Sequence, residues 1–84
     1  MIYVDDCKNK FHNMVMSHMT ADSSEELMIF ATTVLKLKPE WVQCRGTWKE
    51  HFDVSQTKRK MAIENGAIAM NRIDYIRMVK KKKR

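Results

Sequence analysis

A capped amphipathic helix in the first half of the chain sets the strongest limit on the fold. Ser23 and Glu26 have the spacing of a capping box, in which the hydroxyl accepts a first-turn N–H and the carboxylate returns to the cap N–H. Apolar residues follow at helical spacing: Leu27, Phe30, Ala31, Val34 and Leu35. Pro39 predicts the end of this helix near residue 37. A helix with one apolar stripe must be buried against another element.

Short β-rich runs supply the surface against which such a helix can pack. We predict strands over residues 2–4, 14–21, 51–54 and 67–70, with a short extended piece over 41–43. The polar segments 7–13 and 44–50 are predicted to be loops.

Two further helices are predicted in the second half. Ser55 is expected to cap a helix that turns Met61 and Ala62 inward and stops at Asn65 and Gly66. The third helix begins with Asn71 and Asp74 and has an inward stripe of Ile73, Ile76 and Val79. The pattern predicts a small α/β (α+β) domain, with a sheet of about four to five short strands covered by two to three helices.

Length and charge indicate one domain with a basic end. The 84 residues make a single domain, which we place at 1–79, followed by a basic C-terminal tail at 80–84. The net charge is +6, but the tail supplies five of these charges and leaves about +1 for the rest. Such a tail is attracted to phosphates without sequence readout, or it is simply a solvated end.

The sequence predicts a cytoplasmic protein with no membrane contact. No apolar run approaches the roughly 20 residues of a membrane span, and the start of the chain lacks the basic region of a signal peptide. Cys7 and Cys44 are expected to be free thiols in a reducing compartment.

Polar side chains accompany three of the predicted strands: Asp5 and Asp6, His18 and Asp22, and His51 and Asp53. Because ligands tend to lie beyond the carboxyl ends of strands that feed helices, we expect these groups to meet. The expectation requires that the strands point the same way. A hairpin of the first two strands would place Asp5 and His18 at opposite ends.

The same residues carry a resemblance to a known family. The segments involved are Met1–Asp6, Met14–Asp22, Glu26-Leu27, Trp41, His51–Asp53, Lys58-Arg59 and Gly66-Ala67. In order and spacing they resemble an uncharacterised family of short phage and bacterial proteins, the domain-of-unknown-function family 4031. The resemblance runs to about Met70 and implies a stand-alone small domain, often phage-encoded, with no activity to transfer. The chain departs from the family pattern at Cys7, in a longer loop over 44–50 and in an added segment from Asn71.

A metal site is one hypothesis for these residues. His18, His51 and Asp53 are suitable ligands for zinc, manganese or iron, which makes a divalent metal ion the candidate cofactor. Asp5, Asp6 or Asp22 could add further oxygen donors, and such a site could activate water against a phosphodiester. The alternative is that the histidines are orienting hydrogen-bond groups and the aspartates are helix caps.

An anion site at the start of the second helix is the other hypothesis. Ser55, the free N–H groups of the first turn, Lys58 and Arg59 would suit the phosphate of a nucleotide or nucleic acid. The alternative is that Lys58 and Arg59 form the solvated face of that helix. Trp48 is the better candidate for an exposed contact, because Trp41 and Phe52 are expected in the core.

The sequence therefore predicts a small phage-type accessory protein that binds phosphate-bearing ligands or nucleic acid through a His/Asp/Lys/Arg cluster, in the host cytoplasm if it is phage-encoded. A metal-dependent phosphoesterase or nuclease is the second hypothesis, with His18, His51 and Asp53 as candidate catalytic residues. The third is an interaction module, such as a phage inhibitor of a host protein, that presents residues 44–50. Enzyme activity and oligomeric state are left open.

Overall fold

Five strands and three helices form the described part of the chain, residues 1–82, in a computed structural model of the protein. The strands are β1 (Ile2–Val4), β2 (Asn9–Phe11), β3 (Met14–Ala21), β4 (Phe52–Ser55) and β5 (Ile68–Ala69). The helices are α1 (Ser24–Ile29), α2 (Gln56–Glu64) and α3 (Arg72–Lys80). One mixed sheet with three helices confirms the predicted α+β fold class. Lys83 and Arg84, the end of the predicted tail, lie outside the described residues.

β3 is the central strand of the sheet, and both of its sides are paired. Met16 pairs with both β2 and β4, and Met19 pairs with both β1 and β4. β1 and β2 therefore lie one after the other along one side of β3, and β4 lies along the other side. β5 is parallel to β1, whereas the other strand pairs are antiparallel.

β1 and β2 are two halves of one arm of a hairpin with β3, and a bulge separates them. Val4 pairs with Met19 and Asn9 pairs with Met16, so four residues of this arm face only two of β3 between these pairs. The predicted loop over 7–13 is therefore wrong at β2. The segment is polar and therefore gave no strand signal, but it forms a strand because it pairs with β3.

One face of the sheet carries the apolar core. Because side chains alternate along a strand, Val4, Met19 and Phe52 form one row across β1, β3 and β4, and all three are fully buried. Leu27 of α1 and Ala62 of α2 belong to the same buried cluster, so these helices cover this face. The inward orientation predicted for Ala62 and the core position predicted for Phe52 are confirmed.

α1 begins as predicted but ends early. Ser23 accepts the N–H of Glu26, whereas the Glu26 carboxylate contacts the amino group of Met1 at 2.5 Å instead of returning to the cap. The helix continues as a π-helical turn over Phe30–Val34, and Lys36 then has a φ of +58°. The predicted end near residue 37 is wrong, because the left-handed backbone at Lys36 ends the helix before the proline does.

The segment after α1 is a turn rather than the predicted extended piece. Pro39–Trp41 forms a short 3₁₀ helix, and Gln43 alone continues into an isolated bridge with His51. Trp41 is 53% exposed, so its predicted core position is wrong. The ammonium group of Lys38 lies 5.6 Å from the centre of its ring.

α3 covers part of the opposite face of the sheet. Its Tyr75 is 5% exposed, lies outside the main apolar cluster and has its ring centroid 6.2 Å from that of His18. Asn71 accepts the N–H of Asp74 at 2.8 Å, as predicted for the cap. The predicted inward stripe is wrong for Ile73, which is 63% exposed, because α3 turns Tyr75 toward the sheet instead.

The last described residues return to the sheet. α3 continues to Lys80, across the predicted boundary between domain and tail. The Lys82 ammonium donates to the Thr20 hydroxyl at 3.2 Å and to the carbonyl of Ala21. Within residues 1–82, every helix is too short or too polar to cross a bilayer.

Candidate metal centre

Several of the polar residues singled out in the sequence meet on the face of the sheet that α3 covers. Val4 pairs with Met19, so Asp5 lies opposite His18, and the backbone N–H of Asp5 donates to the His18 carbonyl at 3.1 Å. On the other side of β3, His18 pairs with Asp53. Asp5, His18 and Asp53 therefore form one polar row across three strands, on the face opposite the apolar row.

The reason for this meeting differs from the predicted one. The strands were expected to point the same way, whereas β3 is antiparallel to β1 and β4. His18 lies within β3 rather than at its end. The predicted separation of Asp5 from His18 in a hairpin is also wrong, because the register places the two residues directly opposite each other.

His51 joins this row from the residue before β4. It lies two residues before Asp53 and therefore on the same face, and its bridge with Gln43 keeps the backbone extended. The His18 and His51 ring centroids are 5.2 Å apart, edge to face. The Nε2 atoms of His51 and His18 lie 3.5 and 3.9 Å from Oδ1 of Asp53. We call His18, His51 and Asp53 the His–Asp cluster.

Hydrogen bonds at the other ring nitrogen orient both imidazoles. Nδ1 of His18 is 2.8 Å from Oδ2 of Asp5, and Nδ1 of His51 is 2.7 Å from the carbonyl oxygen of Lys49. An ionised carboxylate and a carbonyl only accept, so the network assigns the proton of each ring to Nδ1. The neutral form of each imidazole then has its lone pair on Nε2, the atom nearest to Asp53.

Asp5 is a fully buried carboxylate that stays ionised. Oδ1 accepts the backbone N–H groups of Cys7 at 3.2 Å and His18 at 2.9 Å, and Oδ2 accepts from the side chains of His18 and Arg72. Burial raises the pKa of Asp5, but the hydrogen bonds and charge of His18, together with Arg72, outweigh burial and lower the pKa from 3.8 to about 2. Asp5 thus anchors the His18 ring.

Arg72 completes the polar row from the first turn of α3. Its backbone N–H donates to Oδ1 of Asp6 at 2.8 Å, so Asp6 holds the start of α3 against the bulge. Its Nη1 lies 3.0 Å from Oδ2 of Asp5 and 3.1 Å from Nδ1 of His18. Both nitrogens carry protons, so the guanidinium and the imidazole share the Asp5 oxygen as acceptor.

A pocket of about 310 Å³ opens above the two imidazoles, between α3 and the loop before β4. We call it the site pocket. Beside the histidines it is lined by three cations and by apolar or aromatic side chains: Lys49, Arg72, Lys80, Trp48, Tyr75, Ile76 and Val79. Burial and the charges of Asp5 and Asp53 raise the pKa of the Tyr75 phenol, against the opposing effect of Arg72. The pocket thus combines positive charge with an apolar wall.

Asp22 is not brought to the His–Asp cluster. It follows the end of β3, where Oδ2 lies 3.1 Å from the amino group of Met1 and Oδ1 accepts from the Tyr3 hydroxyl at 3.0 Å. The hydrogen bonds from the amino group and Tyr3 lower the pKa of Asp22. Its contacts tie the chain start to the sheet.

The groups predicted to form an anion site at the start of α2 contact the protein's own backbone. Ser55 accepts the N–H of Lys58 at 3.2 Å, which confirms the predicted cap. The Lys58 ammonium donates to the Leu35 carbonyl at 2.8 Å, and Nε of Arg59 donates to the Asp5 carbonyl at 2.7 Å. Neither cation lines the site pocket. Phosphate binding by Ser55, Lys58 and Arg59 stays a prediction.

Four residues near the cluster were missed in the sequence: Gln43, Lys49, Arg72 and Tyr75. Gln43 lies in a segment that gave no site signal, yet its amide donates to Oδ2 of Asp53 at 2.6 Å. Arg72 and Tyr75 are placed by the packing of α3. The closest available signal is the Asn71 cap, because it fixes which residues form the first turn of that helix.

Comparison with protein families shows which part of the chain one family model covers. A family model described as Protein of unknown function (DUF4031) matches residues 2–82. The chain belongs to this family. The DUF4031 match runs through α3, so the expectation that the resemblance ends near Met70, with an added segment from Asn71, is wrong. Arg72 and Tyr75 therefore lie within the DUF4031 domain. No curated protein and no solved structure matches the chain.

Proposed function

We propose that the His–Asp cluster binds one divalent transition metal ion and that the protein uses this ion to bind and hydrolyse phosphate esters. The observation that carries the proposal is the proximity of three donor atoms. A ring nitrogen of His18, a ring nitrogen of His51 and a carboxylate oxygen of Asp53 all lie within 4.8 Å of one another. Two imidazoles and one carboxylate with open positions are a known ligand set for such metals.

The spacing of these atoms suits one ion. Metal–nitrogen and metal–oxygen bonds of about 2.0–2.2 Å leave two donors on the same ion roughly 3 to 3.4 Å apart. The Nε2–Oδ1 distances of 3.5 and 3.9 Å are slightly longer, so small side-chain rotations would close the set. Nitrogen ligands favour zinc, manganese or iron over calcium, which prefers oxygen ligands.

The contacts behind each ligand support metal binding over a purely structural role. A metal-bound histidine usually donates its other N–H to a carboxylate or carbonyl. Asp5 and the Lys49 carbonyl accept from His18 and His51 in this way, and Gln43 donates to Asp53. When both imidazoles are neutral, two nitrogen lone pairs face one carboxylate and repel it, and a cation between them removes the repulsion.

The site pocket supports phosphate esters as the ligand class. Lys49, Arg72 and Lys80 supply positive charge around the imidazoles, which suits the charge of a phosphate. A metal ion at the His–Asp cluster would polarise a phosphoryl oxygen and lower the pKa of a bound water. The predicted binding of phosphate-bearing ligands would then occur at this site, with the cluster as its catalytic part.

Titration of metal-free protein with Mn²⁺ and Zn²⁺, followed by calorimetry, tests this proposal. Wild type should bind one ion, and His51→Asn should bind it at least about 100-fold more weakly, since outer partners alone contribute about 10- to 100-fold. A panel of phosphate monoesters and diesters, assayed with metal and with EDTA, then measures hydrolysis.

His12→Asn is the matched control for this experiment. His12 lies in the turn between β2 and β3 with a φ of +56°, a conformation that asparagine tolerates. It should bind metal like wild type. Wild type that binds no ion, or a His51→Asn variant that binds as tightly as wild type, would contradict the proposal.

The same protein samples also distinguish metal-independent binding of nucleic acid from binding through the metal ion. It would survive EDTA and weaken steeply with added salt, whereas binding through the metal would be lost in EDTA. A phage origin, a cytoplasmic location and a role as an interaction module that presents residues 44–50 stay predictions.

A further inference from the structure

The Tyr75 hydroxyl is a buried polar group beside the His–Asp cluster. Tyr75 is 5% exposed, and its hydroxyl has no hydrogen-bond partner within the part of the chain that the structure describes. Its side chain lines the site pocket together with His18 and His51. A phenylalanine would fill the same volume without burying a hydroxyl, and buried hydroxyls are almost always paired. No described residue accepts its hydrogen bond, so an acceptor on a ligand in the site pocket would satisfy this hydroxyl.

The chemistry of the side chains around the pocket explains why the described residues do not supply that acceptor. Lys49, Arg72 and Lys80 are donors only, and Ile76 and Val79 are apolar. The Nε2 atoms of His18 and His51 lie beside Asp53, where the proposed metal ion would take their lone pairs. The nearby carboxylate of Asp5 already accepts two hydrogen bonds at each oxygen. An anion that enters the site pocket would bring the missing acceptor.

We infer that the site pocket binds a small phosphate ester, with one phosphoryl oxygen accepting a hydrogen bond from the Tyr75 hydroxyl and the ester group packed on Ile76 and Val79. This inference rests on the proposed function and names its substrate class. A volume of about 310 Å³ lies at the lower end of small-molecule pockets, so it suits a compact ester. The apolar wall favours an ester group with an aromatic or aliphatic surface.

Binding of phenyl phosphate and of inorganic phosphate to the Mn²⁺-loaded protein tests this inference. Tyr75→Phe keeps the buried ring, so its thermal stability and its Mn²⁺ affinity should not fall. Its affinity for both phosphate probes should fall about 10-fold or more, the usual effect of a hydrogen bond to a charged acceptor. Wild type should bind phenyl phosphate more tightly than inorganic phosphate because of the apolar wall.

Tyr3→Phe is the matched control. Its hydroxyl donates to Asp22 and lies away from the site pocket, so all of these affinities should stay as in wild type. Unchanged phosphate affinity in Tyr75→Phe, with Mn²⁺ still bound, would overturn the inference and leave the metal site standing. Loss of Mn²⁺ affinity in that variant would assign Tyr75 a structural role and also overturn it. Equal binding of the two probes would overturn the ester-group assignment, and wild type without bound Mn²⁺ would overturn the proposed function as well.

Discussion

The two faces of the sheet carry opposite kinds of residue, although the same three strands build both. The face under α1 and α2 carries one fully buried apolar row: Val4, Met19 and Phe52. One residue away on each strand, the other face carries the polar row: Asp5, His18 and Asp53. A single step along the strand separates residues of the apolar core from residues of the candidate metal centre.

The two rows make different demands on the rest of the chain. The apolar row needs only side chains that fill the space beneath the helices. A buried carboxylate is costly unless it is paired, and Asp5 obtains two backbone N–H groups, an imidazole and a guanidinium. One of these partners, Arg72, comes from α3, so the hydrogen bonding of Asp5 is complete only with the last helix in place.

The largest expected effect comes from Phe52→Ala, which breaks the apolar face. Phe52 is fully buried, and removal of a core phenylalanine costs about 3–5 kcal/mol, comparable to the whole stability of a domain of this size. Urea unfolding followed by circular dichroism should show a mostly unfolded variant. Ile73→Ala, at a position 63% exposed, should change the free energy of unfolding by less than about 0.5 kcal/mol. Equal losses in both variants would contradict the assignment of the core to this face.

Asp5→Asn is expected to cause the next largest loss of stability, and it tests whether a residue of the polar row also stabilises the fold. The pKa of Asp5 in the folded protein, about 2, lies below its ordinary value of 3.8, so the ionised carboxylate stabilises the fold above that value. The stabilisation is about 2 kcal/mol and is lost as the pH falls from 3.8 toward 2. Urea unfolding of metal-free wild type and variant should differ by about this amount at neutral pH and converge near pH 2.

The same variant should also weaken metal binding. His18 would lose the carboxylate that orients it, so Mn²⁺ affinity should fall about 10- to 100-fold. Asp6→Asn is the control, since its amide oxygen can still accept the Arg72 N–H, and it should leave stability and affinity unchanged. An Asp5→Asn protein that loses stability but keeps its metal affinity would show that Asp5 stabilises the fold without supporting the metal site.

Gln43→Ala is expected to have the smallest effect, and it tests whether a residue can support the metal site without stabilising the fold. The Gln43 amide holds Asp53 at 2.6 Å from an exposed position, so its loss should lower Mn²⁺ affinity about 10-fold. Stability should change by less than about 0.5 kcal/mol. Gln56→Ala, whose amide donates to the Ser17 hydroxyl, should affect neither quantity. Calorimetry that finds Gln43→Ala equal to wild type would remove Gln43 from the metal site.

Local signals predicted most of the elements because their causes lie within a few residues. Ser23, Ser55 and Asn71 each accept an N–H three residues ahead, as their positions before helical patterns predict. Gly66 has a φ of +102° just after α2, a conformation that glycine adopts easily. β1 and β3 have the predicted bounds, 2–4 and 14–21.

The errors share a long-range cause. β2 was predicted as loop because its three residues form a strand only through pairing with β3. Trp41 was expected in the core and Ile73 on the inward stripe, since both are large and apolar, yet the packing of the chain leaves them exposed. Hydrophobicity predicts that a residue can be buried, but the tertiary arrangement decides which residues are.

The residues of the candidate site also fall into those predicted from local spacing and those placed by long-range packing. His51 and Asp53 were paired correctly from their spacing, since residues two apart on a strand share a face. Their approach to His18 was expected from parallel strands, whereas antiparallel register produces it. Arg72 and Tyr75 could not be assigned, because nothing within α3 indicates which side of the sheet it covers.

The sequence alone determined where the helices begin, which residues alternate along each strand and which side chains could serve as ligands. These properties depend on neighbours along the chain. The tertiary structure alone decided that Asp5, His18 and Asp53 lie side by side, that His51 lies on the same face and that Tyr75 lines the site pocket. Strand register and helix docking join residues more than ten positions apart, and a shift of one residue would have turned the polar row into the core.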